Sequence, residues 1–368
     1  MKRGRPSTTT STTLALAPVS KRSKGLSSGE GSTALATTVE RTSSLAAANL
    51  VLSGHDDEVT CVAFAGNGRT LYSGSKDRSV IVWPVYSDTI CSIGHLRGHS
   101  SAVTGLACPS STAAAGFDLA TCSADGSLRT WDVASETCEV IARLDDIVND
   151  VAVLDNSSLL AVVTDGGVLT VRDARSRAAV FSVSLSSPLT ATALANEADG
   201  PAVYAAGIDG VVRKYSLAAT SDAAPVPLLE LAPRVRAPPP LSALALAPSG
   251  DALLTRDLDG LVRVWDIRPF APPIRELRGF TGPHGPEANP EMRPLPLALA
   301  PNAWLDAATR ATHATLALGG SLHGSLYAWH SGSGEPIYEL PGHTGPPIIA
   351  TGAADNTIVL GEIDASVL

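Results

Sequence analysis

The sequence has 368 residues, of which 44% are hydrophobic and only 17% are charged. This low charged fraction disfavours exposed helices, whose outer faces normally carry Glu and Lys, and favours many short strands joined by turns. No apolar run reaches the about 18 residues that a membrane-spanning helix requires, so we expect no membrane partner.

The formal net charge of −9 is divided unevenly along the chain. Residues 1–41 contain seven Lys or Arg and two Glu, whereas the rest contains 20 basic and 34 acidic residues. Because an acidic body repels phosphate, we expect contact with RNA only through partners.

Residues 1–44 are predicted to form a disordered basic tail that is rich in Ser and Thr. Two basic clusters in this segment are typical of a two-part nuclear import signal, although a merely solvated tail has the same composition. The candidate import residues are Lys2, Arg3, Lys21, Arg22 and Lys24.

A repeated pattern begins at Gly54-His55. An alternating apolar run follows and predicts a strand, a second strand ends in a turn at Asp77, and a third strand ends at Trp83. The same interval from turn residue to aromatic or apolar residue recurs in Asp125 with Trp131, Asp165 with Val171, Asp209 with Tyr215 and Asp259 with Trp265.

Two further copies depart from this pattern. His323 replaces Asp ahead of Trp329, and the copy at Asp355 has lost the aromatic residue. The seven turn residues lie 48, 40, 44, 50, 64 and 32 positions apart, which is close to the length of one propeller blade. The spacing therefore predicts seven blades.

The repeat resembles the WD-repeat family, in which a His, a Ser or Thr, the turn Asp and the Trp form a buried hydrogen-bonded set. The resemblance implies an all-β, seven-bladed β-propeller over residues 45–368. It assigns structural roles to His55, Ser73, Asp77 and Trp83, to His99, Thr121, Asp125 and Trp131, and to Thr255, Asp259 and Trp265.

The two ends of this region are expected to meet. Leu45 to Leu52 is placed to complete the last blade as a strand, which removes a sheet edge. Only 11 residues separate His343 from Asp355, against 21 between His55 and Asp77, so the last blade is predicted to lack its first strand.

Three stretches narrow the resemblance to the WD-repeat subunits of the spliceosomal U5 small nuclear ribonucleoprotein. They are residues 14–55, Val264 to Pro272, and Tyr338 to His343 together with Leu360 to Ile363. This resemblance implies a nuclear, non-catalytic scaffold that acts in pre-mRNA splicing by binding the large U5 scaffold protein. It implies no cofactor and no small-molecule substrate.

The segment Trp265 to Arg268 also resembles the motif by which some WD-repeat proteins dock onto a cullin-RING ubiquitin ligase. Under that alternative the protein is a substrate receptor, and Arg268, Pro269 and Phe270 are the candidate partner-binding residues. An equally good interpretation is that Arg268 braces its own blade by pairing with Asp266 or Asp259.

The sequence offers no set of catalytic or metal-binding residues. His95 and His99 are four residues apart, but His99 belongs to a Gly-His pair and no Glu lies between them. No nucleophile, base and orienting group can be assembled. Five proline residues between Gly279 and Pro301 predict an insertion without regular strand.

Overall fold

A computed structural model describes the chain from residue 49 onward. Side chains are described for 50–87, 91–197, 199–218, 225–233, 235, 237–247, 252–268 and 356–360, and further strands by their backbone. Outside the described residues lie the predicted tail (1–44) and Lys2, Arg3, Lys21, Arg22, Lys24, Pro269, Phe270, His323 and Asp355.

Four-stranded antiparallel sheets follow one another along the chain, each with its strands in sequence order. The first sheet contains β2 (Val59–Phe64), β3 (Thr70–Ser75), β4 (Ser79–Pro84) and β5 (Gly94–Arg97). The second contains β6 (Val103–Ala107), β7 (Leu119–Ser123), β8 (Ser127–Asp132) and β9 (Thr137–Arg143). The third contains β10 (Val148–Val153), β11 (Leu159–Thr164), β12 (Val168–Asp173) and β13 (Ala179–Ser184).

Three further four-stranded sheets repeat this order. The fourth contains β14 (Leu189–Glu197), β15 (Gly200–Gly207), β16 (Val212–Ser216) and β17 (Leu229–Leu231). The fifth contains β18 (Leu241–Leu246), β19 (Ala252–Asp257), β20 (Val262–Asp266) and β21 (Glu276–Phe280). The sixth contains β22 (Leu297–Pro301), β23 (Thr315–Gly320), β24 (Leu326–His330) and β25 (Pro336–Leu340). The expectation of no strand between Gly279 and Pro301 was wrong at its ends, because β21 and β22 extend into that interval.

The sheets pack face to face because their middle strands are apolar on both sides. In β7 and in β3 after its first residue, every side chain is buried, whereas the outer strand β13 alternates between exposed and half-buried residues. Side chains from two sheets share each core. One such cluster joins the first and second sheets through Tyr72, Val80, Val82, Leu96, Val103, Leu119 and Trp131.

The first strands of successive sheets contact one another in series, and the last sheet meets the first through β26 (Ile348–Gly352) and β2. This is the arrangement of a β-propeller, so the predicted all-β propeller class is confirmed, while the number of seven blades stays a prediction. A short helix, α1 (Thr112–Ala115), lies between β6 and β7 and ends at Gly116. No helix among the described residues is long and apolar enough to cross a membrane.

The chain ends close the propeller. β1 (Asn49–Ser53) pairs antiparallel with β27 (Thr357–Glu362), and β27 pairs with β26. This confirms that the N-terminal strand completes the last sheet, and the part of the predicted strand before Asn49 lies outside the described residues. In the described part of the chain this sheet has three strands and lacks the innermost one, in agreement with the short interval after His343.

Hydrogen bonds between neighbouring sheets join their first strands near the axis. The Thr60 hydroxyl donates to the Val103 carbonyl oxygen at 2.6 Å, and the Thr104 hydroxyl donates to the Val148 carbonyl oxygen at 2.5 Å. The Asn149 amide donates to the Leu189 carbonyl oxygen at 2.7 Å. In β2, β6 and β10, a polar side chain at the second position of the strand therefore fixes the spacing to the next sheet, in addition to the apolar packing.

The Asp150 carboxylate makes a related contact between the third and fourth sheets. It accepts the Thr192 N–H at 2.9 Å and the Val151 N–H at 2.8 Å. Burial raises the pKa of this carboxyl to about 7, although both N–H groups favour its charged form.

Asp150 is expected to make the stability of the protein depend on pH. The folded state holds the Asp150 proton more tightly than the unfolded chain, so this group lowers the free energy of unfolding as pH rises from about 4 to about 7. Urea unfolding of Asp150→Asn should lack this contribution, and its stability relative to the unmodified protein should increase across that range. Asp145→Asn, at an exposed aspartate, is the control. If the free energy of unfolding of Asp150→Asn and that of the unmodified protein changed in parallel with pH, the raised pKa of Asp150 would be contradicted.

Candidate protein-interaction site

The first two sheets contain matching chains of hydrogen bonds. In the second sheet, Trp131 Nε1 donates to Thr121 Oγ1 at 2.9 Å, and Thr121 Oγ1 lies 2.7 Å from His99 Nε2. His99 Nδ1 lies 3.2 Å from Asp125 Oδ2. Since Thr121 already accepts from Trp131, it donates to Nε2, and Nδ1–H then donates to Asp125. Every polar side-chain atom in this series of hydrogen bonds therefore has a partner.

The first sheet repeats this chain with a serine. Trp83 Nε1 donates to Ser73 Oγ at 2.8 Å, Ser73 Oγ lies 2.8 Å from His55 Nε2, and His55 Nδ1 lies 2.8 Å from Asp77 Oδ2. The structure thus brings together all eight residues that the sequence assigned to the first two sets.

The charges in these chains favour a structural role. Burial lowers the pKa of His99 despite the neighbouring Asp125, so its imidazole is neutral at pH 7. Burial would raise the pKa of Asp125, but hydrogen bonds from Ser127 and from the Ser100 N–H hold it well below its usual range. A neutral imidazole with both nitrogen atoms occupied has no free position for proton transfer to a substrate.

The fifth sheet differs from the sequence pattern. Trp265 Nε1 donates to Thr255 Oγ1 at 2.9 Å, as expected, but Asp259 is exposed and does not approach this pair. Asp257 lies buried instead and accepts from Arg263 Nη1 at 2.7 Å. Without a histidine in this sheet, a buried ion pair takes the place of the His–Asp contact.

The third sheet shifts the turn by one residue. The turn residue with a left-handed backbone conformation (positive φ) is Arg78 in the first sheet and Gly167 in the third. The Asp165 N–H donates to the Ile147 carbonyl oxygen, just as the Lys76 N–H donates to a carbonyl in the first sheet. Asp165 therefore occupies the position of Lys76, and the predicted alignment of Asp165 with Asp77 was wrong by one residue.

Arg268 pairs with its own blade. Its Nε donates to both Asp266 oxygens at 2.9 and 3.1 Å, and its Nη2 also contacts Asp266. Asp266 is buried, whereas 59% of the Arg268 side chain remains exposed. Of the two interpretations of this motif, the geometry supports bracing by Asp266.

The remaining candidate pair, His95 and His99, does not form a metal site. His95 Nε2 lies 3.1 Å from Ser92 Oγ, and His99 is held in its hydrogen-bonded chain. Among the described residues no cluster of three His, Cys, Asp or Glu could hold a metal ion. Burial raises the pKa of the Cys61 thiol to about 12, while Cys91 and Cys138 are exposed.

The sequence interpretation missed one surface, which we call the top face. It consists of the turns between second and third strands and the loops that lead into first strands, which lie at one end of each antiparallel sheet. Each turn donates one N–H to the adjacent loop at 2.9–3.1 Å. The pairs are Lys76 with Glu58, Ala124 with Ala102, Asp165 with Ile147, Ile208 with Pro188 and Leu258 with Pro240.

Comparison with known proteins places the chain in a family. Residues 48–84 and 90–132 match the family model described as WD domain, G-beta repeat. Pre-mRNA-splicing factor cwf17 of Schizosaccharomyces pombe is 30% identical over 339 residues, which span 89% of this chain and 91% of that protein. The chain belongs to this family of WD-repeat splicing factors.

Two further relatives are named as proteins of the U5 small nuclear ribonucleoprotein. The U5 small nuclear ribonucleoprotein 40 kDa protein of Dictyostelium discoideum is 28% identical over 339 residues, covering 88% of this chain and 87% of the relative. The human protein of that name is 50% identical over 48 residues, or 13% of each chain. The relatives are splicing factors, and splicing takes place in the nucleus.

The hydroxyl at the centre of each hydrogen-bonded set should stabilise the fold in proportion to the number of buried groups that it pairs with. Thr121→Val leaves both Trp131 Nε1 and His99 Nε2 buried without a partner, which should cost about 2–4 kcal/mol in the free energy of unfolding. Thr255→Val leaves only Trp265 Nε1 without a partner and should lower the free energy of unfolding by about 1–2 kcal/mol. Urea unfolding followed by circular dichroism measures both, and an equal or larger loss in Thr255→Val would refute this account.

Proposed function

We propose that the protein is a non-catalytic scaffold of the spliceosomal U5 particle and that it binds the large U5 scaffold protein. The observation that carries the proposal is similarity to splicing factors over about nine-tenths of the chain. A match of this extent includes the surface loops as well as the repeat that all WD-repeat proteins share.

The chemistry of the described residues supports a scaffold rather than an enzyme. Both His–Asp pairs are enclosed in hydrogen-bonded chains that also hold a Trp and a hydroxyl, so their polar atoms serve the fold. The body of the chain is acidic, which supports binding to RNA through partners rather than through its own surface.

Affinity purification from nuclear extract tests the proposal. The tagged protein should recover U5 proteins together with U5 RNA, while the purified protein alone should bind short RNA weakly. Trp131→Ala removes a side chain that is 2% exposed and should cost about 3–5 kcal/mol, so recovery of proteins and RNA should be lost together.

A second variant in the same experiment distinguishes the alternative function. Arg268→Ala removes a mostly exposed guanidinium and should leave the recovery of U5 proteins unchanged. If the unmodified protein instead recovers a ubiquitin-ligase adaptor and no U5 material, and Arg268→Ala releases that adaptor, the splicing proposal is wrong and the ligase hypothesis replaces it.

We also propose that residues 1–41 direct the protein to the nucleus. Their two basic clusters carry a net charge opposite to that of the remaining chain, which suits an acidic import receptor. Substitution of Lys21, Arg22 and Lys24 by Ala should shift a fluorescent fusion towards the cytoplasm, and substitution of Arg41 alone should not. Nuclear accumulation of the triple variant at the normal level, under conditions where U5 partners are depleted, would rule this out.

A further inference from the structure

The top face forms one continuous surface from the second to the fifth sheet. A β-carbon added at Gly126 would lie 2.3 Å from the Leu144 carbonyl oxygen, and one at Gly167 would lie 2.4 Å from the Leu185 carbonyl oxygen. At Gly210 it would lie 2.3 Å from Pro238. Each turn therefore touches the loop that leads into the next sheet, and no gap separates them.

Apolar side chains follow one another along this surface. Ile147 and Ile208 are 42% and 40% exposed, although both are large and apolar. The Ile208 N–H donates to the Pro188 carbonyl oxygen and the Leu258 N–H donates to the Pro240 carbonyl oxygen, so each of these turn residues lies beside a half-buried proline. The apolar residues of these turns and loops, which we call the apolar ridge, are Ile147, Pro188, Ile208, Pro240 and Leu258. In the first sheet the same positions hold Glu58 and Lys76, which form an ion pair, so the ridge does not extend to that sheet.

Carboxylates border the ridge. Asp145 lies two residues before Ile147, Asp165 bonds to Ile147 through its backbone, and Asp259 follows Leu258. All three aspartates are exposed, and within the described residues none forms a salt bridge. The border thus offers negative charge beside apolar side chains.

We propose that the apolar ridge is a docking site for a segment of a partner protein whose aliphatic side chains are flanked by Lys or Arg. Aliphatic side chains would cover Ile147 and Ile208, and the cations would pair with Asp145, Asp165 and Asp259. The identity of this partner as a U5 protein rests on the proposed function.

Two other occupants fit this surface less well. RNA would bring phosphates against three carboxylates, and the five ridge residues, all of them described, include no cation and no aromatic ring on which a base could stack. A second copy of the chain docked through the same face would place its carboxylates against those of the first. A basic and aliphatic protein segment meets neither difficulty.

The test compares two substitutions in the full-length chain. Ile147→Asp combined with Ile208→Asp places charge in the ridge and should reduce recovery of the co-purifying proteins at least tenfold, as expected for central interface residues. Val180→Asp, at a residue 50% exposed on the outer strand β13, should have no effect. Thermal unfolding of both variants checks that the fold is intact.

A charge reversal tests the chemistry of the partner. Asp145→Lys combined with Asp165→Lys should weaken recovery, and the complex that remains should depend less on salt concentration than the original. Unchanged recovery at every salt concentration would overturn the basic character assigned to the segment.

The outcomes separate this inference from the proposed function. If U5 proteins are recovered and the double isoleucine variant still binds them, the ridge is not the site, and the proposed function stands. If another complex is recovered, the proposed function fails, and the ridge stands only if a purified member of that complex binds the original chain and not the variant. Recovery of nothing, release by ribonuclease, or dimers that the variant abolishes would each overturn the docking site.

Discussion

Pairing of the first described strand with the last one is the contact on which the propeller depends. In the sheets whose side chains are described, the middle strands are buried on both faces, so each of these sheets needs a neighbour on either side. Leu50 and Leu52 of β1, with Ile358 and Leu360 of β27, complete a core that also holds Leu71 and Trp83 of the first sheet. Without this pairing the ring would be open, and two apolar faces would meet water.

Within that packing, polar groups are tolerated because they are paired with one another. His99 and Trp131 lie inside the second sheet, and a single hydroxyl serves both. The fifth sheet reaches the same result with a different pair, Asp257 and Arg263. The buried hydrogen-bonded sets of the different sheets therefore have one physical requirement in common, which is that each buried donor and acceptor has a partner. The residue types that meet this requirement differ between sheets.

The surfaces available for binding partners are the turns and loops that do not take part in the packing between sheets. Strands are occupied by neighbouring sheets on their faces, whereas the turns and loops at the top face are free to vary without disturbing the core. That freedom explains how one face holds an ion pair at Glu58 and Lys76 in the first sheet and isoleucines in later sheets. A splicing factor that assembles with other proteins requires such a surface, and the common repeat alone does not supply it.

The sequence by itself determined the fold class, the positions of most strands and the closure of the last sheet. The fold class and the strands follow from local alternation of apolar residues and from the fixed interval between Asp77 and Trp83, which depend on residues close together in the chain. The closure was expected from the general need of a propeller to remove its sheet edges. Only the tertiary structure decided that Asp257 replaces Asp259, that the third turn is shifted by one residue and that Ile147 and Ile208 share a face. Each of these depends on which carbonyl or side chain a neighbouring strand or sheet brings within reach, and no local pattern encodes that proximity.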